Sequence, residues 1–399
     1  MPRVLYIDTP FESGTGGACT RSRLIYRALR STHETDLLLV HPHHGPTPSA
    51  QPASPRFPPT LELKALPPRW FSSRVAFRIG AAGTRAYLDL LSRRRYDAVV
   101  CRLHTPWLLA AIASNHPSHP ALIVDLDLVS SRLVGLKWRQ APSFRNIGTL
   151  VERIHLERLE HRILRKPWLV FFSNPAERDQ LALDLARQGS RVRLGILPNI
   201  LIPPTIPPHP ESSPVILFFG CLDSPANTDA FRFLMGDILP LIDADLRRHR
   251  VTIHVAGIKA PPWFSSLIRE SGSDRVALVG PVNPIETAIA DSRFVLLPLR
   301  VASGTRTRIL EAAAQLRTVI TTPLGAEGIA VGSDAIVAPD ATGIASGIRR
   351  LLDAPDRAVD LGRRLGDRCR HRYSESRVAG ELLTQMRDFL ETRRESRSG

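Results

Sequence analysis

Short apolar runs bounded by turn residues alternate along the chain with longer stretches in which apolar positions recur at helical spacing. This is the pattern of parallel sheets with crossover helices. It predicts strands at Val4–Ile7, Thr35–Val40, Ala98–Arg102, Ala121–Asp125 and Leu169–Phe172, with helices between them. A second series repeats the scheme, with strands near Val215–Phe219, Val251–Ala256, Val276–Val279, Phe294–Leu297, Thr318–Thr321 and Ala335–Val337. Between the series lies PNILIPPTIPPHPESSP, Pro198 to Pro214, whose prolines exclude a helix or a central strand and suit a semi-rigid linker. The expected division is residues 1–197 as one domain, 198–214 as linker, 215–373 as a second domain, and 374–399 as a C-terminal helix and tail packing back on the first domain. A second proline-rich stretch, His41 to Pro59, reads as a surface loop, and no repeat at solenoid spacing occurs.

Composition fits two domains: 399 residues, 43% hydrophobic, exceed what one compact module needs. The charge adds more. A formal net charge of +15, carried almost wholly by arginine, calls for an anionic partner such as phosphate, nucleic acid or a lipid surface. Cys19, Cys101, Cys221 and Cys369 are far apart and form no CxxC pair, so neither a disulfide framework nor a zinc site is indicated, and a reducing cytoplasm fits. His41, His43 and His44 have no acidic or cysteine companion and read as a solvated loop, so no metal is expected. MPRVLYIDTP reads as a first strand and lacks the apolar core of a secretion signal. No apolar run approaches the roughly 18 residues that span a bilayer, so any membrane contact is expected to be peripheral.

One stretch carries chemistry against expectation. RVASGTRTRILEAAAQ, Arg300 to Gln315, puts two arginines on the first turn of a helix, the end whose free N–H groups already carry partial positive charge. Ser303, Gly304 and Thr305 supply a flexible turn with small capping side chains, and Ile309, Leu310, Ala313 and Ala314 a buried face. The helix follows a strand, and helix N-termini at the carboxyl edge of an open α/β sheet bind anions. Arg306 and Arg308 intensify that field, which a diphosphate would relieve; the alternative is two arginines pointing into solvent at a cost of a few tenths of a kcal/mol.

The longer segment PLRVASGTRTRILEAAAQLRTVITTPLGAEGI, Pro298 to Ile329, resembles the nucleotide-sugar signature of the family-four (group 1) retaining glycosyltransferases, in the branch with a GGGTRxKILEA-like motif. The similarity continues through VILFFGCLDSPANTDAFRFLMGDILPLI at Val215, VALVGPV at Val276, GGACTRSRLIYRAL at Gly16 and RHRYSESRVAGELL near the end. It implies the α/β GT-B fold, two Rossmann-like doubly wound lobes facing across a cleft, with the nucleotide sugar held mainly by the second. It also implies that Gly220, Asp223, Asn227, Pro281, Ser303, Gly304, Thr305, Arg306, Arg308 and Glu311 bind the donor, Glu311 accepting from the two ribose hydroxyls. Two departures stand out. Ser303 occupies the place of the glutamate that many members carry eight positions before Glu311, and Cys221 and Asn227 occupy the turn where many carry an arginine and a lysine. Arg306 and Arg308 are the expected substitutes for those cations.

In the first domain, GTGGACTR, Gly14 to Arg21, lets backbone approach a ligand closely, and the resemblance makes Gly16 and Gly17 cleft residues. It is not GxGxxG, which counts against an NAD site. His104, after the strand AVVCR, stands where related sequences place a histidine on the donor sugar. Asp125 and Asp127, in IVDLDLVSS, are candidates to orient the acceptor, Asp127 equally to cap a helix. With Arg306, these three form the expected catalytic set.

The reaction implied is transfer of a sugar from a nucleoside-diphosphate donor to a hydroxyl with retention of configuration, without metal or other cofactor, the helix terminus and guanidiniums taking up charge on the departing diphosphate. UDP and GDP are both open. The expected acceptor is a saccharide, a lipid-linked species or a small molecule, in glycan, glycolipid or secondary-metabolite synthesis. The basic, aromatic stretch Arg69 to Tyr96 is read either as a helix lying on an anionic membrane at the inner face of the cell membrane or as a helix covering the sheet. The alternative function is a non-catalytic basic protein of the same fold that binds nucleic acid or a protein partner. No helix-turn-helix, RNA-recognition or zinc signature supports nucleic acid, and no distinctive carboxylate pair supports an epimerase.

Overall fold

The central strands are almost wholly apolar because both their faces are covered, and they anchor two parallel sheets. The computed structural model describes residues 1–11, 17–41, 57–66, 78–102, 107–140, 147–208, 213–301 and 304–398. Gly16, His104 and Ser303 lie outside them, as do His43, His44 and residues 69–77 of the basic stretch. The chain divides into one unit of Met1–Asn199 with Ser376–Gly399 and another of Ile200–Glu375.

The first unit runs β1 (Arg3–Asp8), α1 (Gly17–Thr32), β2 (Glu34–His41), β3 (Leu61–Leu66), β4 (Arg78–Ile79), α2 (Ala81–Arg93), β5 (Ala98–Arg102), α3 (Trp107–Ser114), β6 (Ala121–Asp127), α4 (Ser130–Gln140), α5 (Ile147–Leu164), β7 (Leu169–Phe172), α6 (Pro175–Arg187) and β8 (Arg193–Ile196). Its sheet has the order β4-β3-β2-β1-β5-β6-β7-β8, parallel except for β4 against β3. Its core is packed by Leu5, Ile7, Val99, Val124 and Phe172, among others. Helix α2 buries Tyr87 and Leu91 and presents Arg85 and Arg93 to solvent, so the described part of the basic stretch covers the sheet. His41 pairs with Glu62 at 3.1 Å.

The second unit runs β9 (Val215–Cys221), α7 (Pro225–Phe233), a π-helical turn (Leu234–Ile238), α8 (Leu239–Arg248), β10 (Thr252–Ile258), α9 (Pro262–Glu270), β11 (Val276–Gly280), α10 (Ile285–Ala290), β12 (Phe294–Leu297), α11 (Thr307–Ala314), β13 (Val319–Thr321), α12 (Pro323–Ala326), β14 (Ile336–Val337), α13 (Ala341–Asp353) and α14 (Pro355–Arg372). Its sheet is all parallel, in the order β11-β10-β9-β12-β13-β14. The last helix, α15 (Glu375–Ser398), contributes to the first unit: Gln385 accepts from the Ile196 N–H at 3.2 Å and donates to the Ile196 carbonyl at 2.8 Å, satisfying the outer edge of β8. Among the described residues no helix is long and apolar enough to cross a membrane, and no group of three or more His, Cys, Asp or Glu gathers as a metal site.

Candidate functional site

In the second unit the switch in strand order lies between β9 and β12, and the carboxyl ends of these two strands carry most of the residues the sequence singles out. After β9 the chain turns through Cys221 to Asp223 and enters α7, where the Ser224 hydroxyl accepts from the Asn227 N–H at 3.3 Å. Asp223 is exposed and accepts from Cys221 Sγ at 2.9 Å, and burial together with that bond raises the thiol's pKa. Asn227 is buried, and its amide donates to the Cys221 carbonyl at 2.7 Å, closing the turn from inside.

After β12 the chain passes Leu299 and turns into α11. Gly304 is left-handed at φ 72°, Arg306 takes the capping position at φ −87°, ψ 80° without a side-chain cap, and the helix proper starts at Thr307. Gly304 and Thr305 are used to make the turn. The Thr305 hydroxyl is buried without a hydrogen-bond partner among the described residues.

Neither arginine is free in bulk water. Arg306 is buried, its Nη1 donating to the Gly304 carbonyl. Arg308 is partly buried, and its Nη1 donates to both the Phe219 carbonyl and Asn227 Oδ1, each at 2.7 Å. Burial lowers the Arg308 pKa to about 10, with Glu311 opposing and Arg306 adding to the shift. It is a cation at neutral pH. Gly220 makes this approach feasible, since a methyl group there would stand 2.7 Å from Asn227 Nδ2 and 3.0 Å from Arg308 Nη1. Gly220, Asn227 and Arg308 thus converge, and the charge of Arg306 acts on Arg308. Arg300 is taken by Asp229 at 3.0 Å and lies over the Phe233 ring.

Glu311 lies one turn further along α11, partly buried, and burial raises its pKa against the pull of Arg308. Pro281 follows Gly280 at the end of β11. Sequence reasoning overlooked Lys259, which follows β10 in the left-handed region at φ 58° and whose charge acts on the Cys221 thiol. An exposed lysine after an apolar strand has no distinguishing sequence signal.

In the first unit, Gly17 opens α1. Asp125 is buried and held by Arg21, whose Nε and Nη2 each donate at 2.7 Å to one of its oxygens, while Arg21 Nη1 donates to the Leu197 carbonyl at 2.6 Å. Burial works to lower the Arg21 pKa, but the carboxylates of Asp125 and Asp127 outweigh it and raise the value. Asp127 ends β6 with φ 62°, its carboxylate 3.9 Å from both Arg21 and Arg102. The sequence pointed to neither Arg21 nor Arg102, because the partners are 104 residues apart in the first case and Arg102 only terminates an apolar run.

Residues 213–354 match the family described as Glycosyl transferases group 1. The match covers 142 of the 399 residues, and over that stretch the chain is similar to the family. No curated protein matches it in sequence. Among solved structures it is similar to sucrose-phosphate synthase from Thermosynechococcus elongatus, at 16% identity and TM-score 0.65 over 98% of this chain and 100% of that one. It is similar also to Anabaena HepE in complex with UDP-glucose, at 13% identity and TM-score 0.59 over 97% and 99%. A third is a mutant of S. aureus TarM in complex with fondaparinux, alpha-GlcNAc-glycerol and UDP, at 14% identity and TM-score 0.55. There 79% of this chain aligns and spans 59% of the TarM chain. These similarities show the GT-B fold, with a mainly parallel sheet in each of the chain's two units.

Proposed function

We propose that the chain is a retaining glycosyltransferase that moves a sugar from a nucleoside-diphosphate sugar to a hydroxyl. The observation that carries this reading is Arg308: a partly buried cation anchored through one nitrogen to Phe219 and Asn227, at a helix N-terminus that already disfavours it. A diphosphate at that position would offset the desolvation and use the remaining N–H groups. As the sugar–oxygen bond breaks, charge grows on the diphosphate, and fixed cations and N–H groups stabilise that state more than the bound donor. The match of residues 213–354 supports the donor class, as do UDP and UDP-glucose in the similar structures.

The reading includes same-face attack, charge stabilisation by protein groups in place of a metal, Arg306 beside Arg308 at the leaving group, and Glu311 on the ribose. It extends to a saccharide acceptor, free or lipid-linked, with the surplus positive charge favouring anionic surfaces.

Calorimetric titration with UDP and GDP, and a hydrolysis screen over UDP- and GDP-sugars, test it. Arg308→Met is expected to weaken the preferred nucleoside diphosphate by about tenfold or more, as loss of charge-assisted hydrogen bonds requires. The parent nucleoside should be little affected. Equal affinities of wild type and variant would remove Arg308 from the donor site, and absence of turnover with every nucleotide sugar would favour the non-catalytic alternative.

A further inference from the structure

At the carboxyl edge of the first unit's sheet, neighbouring strands β1, β5 and β6 end on Asp8, Arg102 and Asp127, with Asp125 two residues earlier and Arg21 reaching in from α1. Most of this cluster is satisfied. Asp8 accepts from the Tyr6 hydroxyl at 2.5 Å and the Thr9 N–H at 2.7 Å, and Arg21 and Asp125 form their two-pronged pair. Arg102 differs. It is only 2% exposed, yet Nε stands 3.5 Å from Asp125 Oδ2 and Nη2 stands 3.9 Å from Asp127 Oδ2. Both nitrogens are buried and make no hydrogen bond among the described residues. A buried guanidinium with unmade hydrogen bonds costs about 1–3 kcal/mol or more. Here the cost falls on the sheet edge where open α/β folds receive ligands.

Asp127 is the member that reaches solvent, its side chain 18% exposed. Its left-handed backbone is fixed by Ser173, whose N–H and hydroxyl both donate to the Asp127 carbonyl at 2.8 Å. An uncommon conformation over-determined by its surroundings is a mark of functional positions.

We propose that Arg102 and Asp127 form a subsite for a neutral polyhydroxylated ring, the acceptor of the transfer, with the guanidinium donating to one hydroxyl oxygen and the carboxylate accepting from its neighbour. The charges select the class. Two guanidiniums face three carboxylates, so the cluster offers an incoming phosphate or carboxylate no net attraction, in contrast to the cationic helix terminus of the second unit. Hydroxyls satisfy the donor and the acceptor without adding charge. Asp125 is already engaged by Arg21 and acts by positioning the cluster. Only the word acceptor rests on the glycosyltransferase reading; the binding of a polyol does not.

The test is saturation-transfer NMR on the full chain. The neutral probes are methyl α-glucoside, methyl α-galactoside, methyl α-mannoside and myo-inositol, and the anionic probes are glucose 6-phosphate and glucuronate. At least one neutral probe is expected to bind, and Asp127→Asn and Arg102→Gln each to weaken it by about tenfold. Should Arg102→Gln fail to fold, Asp127→Asn decides, because its carboxylate is partly exposed. Binding of none of the neutral probes, binding of the anionic probes alone, or neutral binding unchanged in the variants would overturn the proposal. Parallel titration of the wild type with UDP and GDP separates the two readings: binding of either nucleotide without polyol binding sinks the subsite alone, and polyol binding with neither nucleotide bound sinks the donor reading alone.

Discussion

At Glu311 burial works against the charged form of the side chain. Burial raises its pKa above the ordinary value of 4.5, with Arg308 pulling it down and Glu286 adding to the rise. A carboxyl whose folded pKa is raised binds its proton more tightly in the folded chain than in the unfolded one. Its ionisation therefore costs stability above the unfolded pKa, and the cost disappears as pH falls. Glu311→Gln is expected to raise Tm near neutral pH, the gain shrinking toward about pH 4. On the proposed reading the same change removes an acceptor for the ribose hydroxyls and is expected to weaken the preferred nucleoside diphosphate, UDP or GDP, by about tenfold. Calorimetry on wild type and variant, scanned across pH and titrated with UDP and GDP, checks the pair of effects. A variant less stable at neutral pH that binds the preferred nucleotide as before would contradict both halves. Such local conflict between stability and ligand is what makes a site detectable. The stretch from Arg300 to Gln315 showed it through its two arginines, whereas Arg21 and Arg102 leave no local trace.

At the level of elements, the paired ends of β9 and β10 determine whether Arg308 can approach. Gly220 and Gly257 are register partners, at φ 145° and 153°. A methyl group at Gly257 would lie 1.9 Å from the Gly220 carbonyl oxygen. Gly257→Ala is expected to cost about 2–4 kcal/mol through clash and backbone strain, measured by urea denaturation. Gly236, in the π-helical turn, has no atom within 4 Å of an added methyl, so Gly236→Ala serves as the neutral comparison. Equal stability of the two variants would mean the strand ends have room to separate. These strands were legible because burial on both faces makes them continuous apolar runs: Ala98–Arg102, Leu169–Phe172 and Phe294–Leu297 are β5, β7 and β12 as expected. The strands sequence reasoning missed are β3, β4 and β8. They lie toward the sheet's edges, where partial exposure mixes polar residues into short segments such as LELKAL, RI and RLGI. The turn before α11 was legible too, since Gly304 takes the left-handed conformation there, although the capping position falls on Arg306 without a side-chain cap.

Across the whole molecule the net charge of +15 is arranged so that single carboxylates serve two arginines. Asp245 meets Arg248 at 3.0 Å and Arg349 at 2.7 Å, Asp334 meets Arg364 at 3.5 Å and Arg368 at 2.7 Å, and Asp274 meets Arg247 at 2.8 Å and Arg275 at 2.5 Å. Sharing leaves guanidiniums repelling one another around each acid. Exposed pairs contribute little, and salt screens repulsion along with attraction, so with a surplus of this size repulsion outweighs attraction. Sodium chloride raised from low to moderate concentration is therefore expected to raise Tm by a few degrees. Inorganic pyrophosphate at matched ionic strength is expected to raise it further, because an anion bound only by the folded chain stabilises it by mass action. Arg308→Met should abolish the pyrophosphate increment and leave the sodium chloride effect intact, since one cation in fifty-three scarcely alters the general field. If both salts act equally on the wild type, the positive charge is a diffuse surface property, and the helix terminus at Arg306 and Arg308 loses its standing as a diphosphate site. A Tm that falls as sodium chloride rises would instead mean that the shared ion pairs outweigh the repulsion they crowd together.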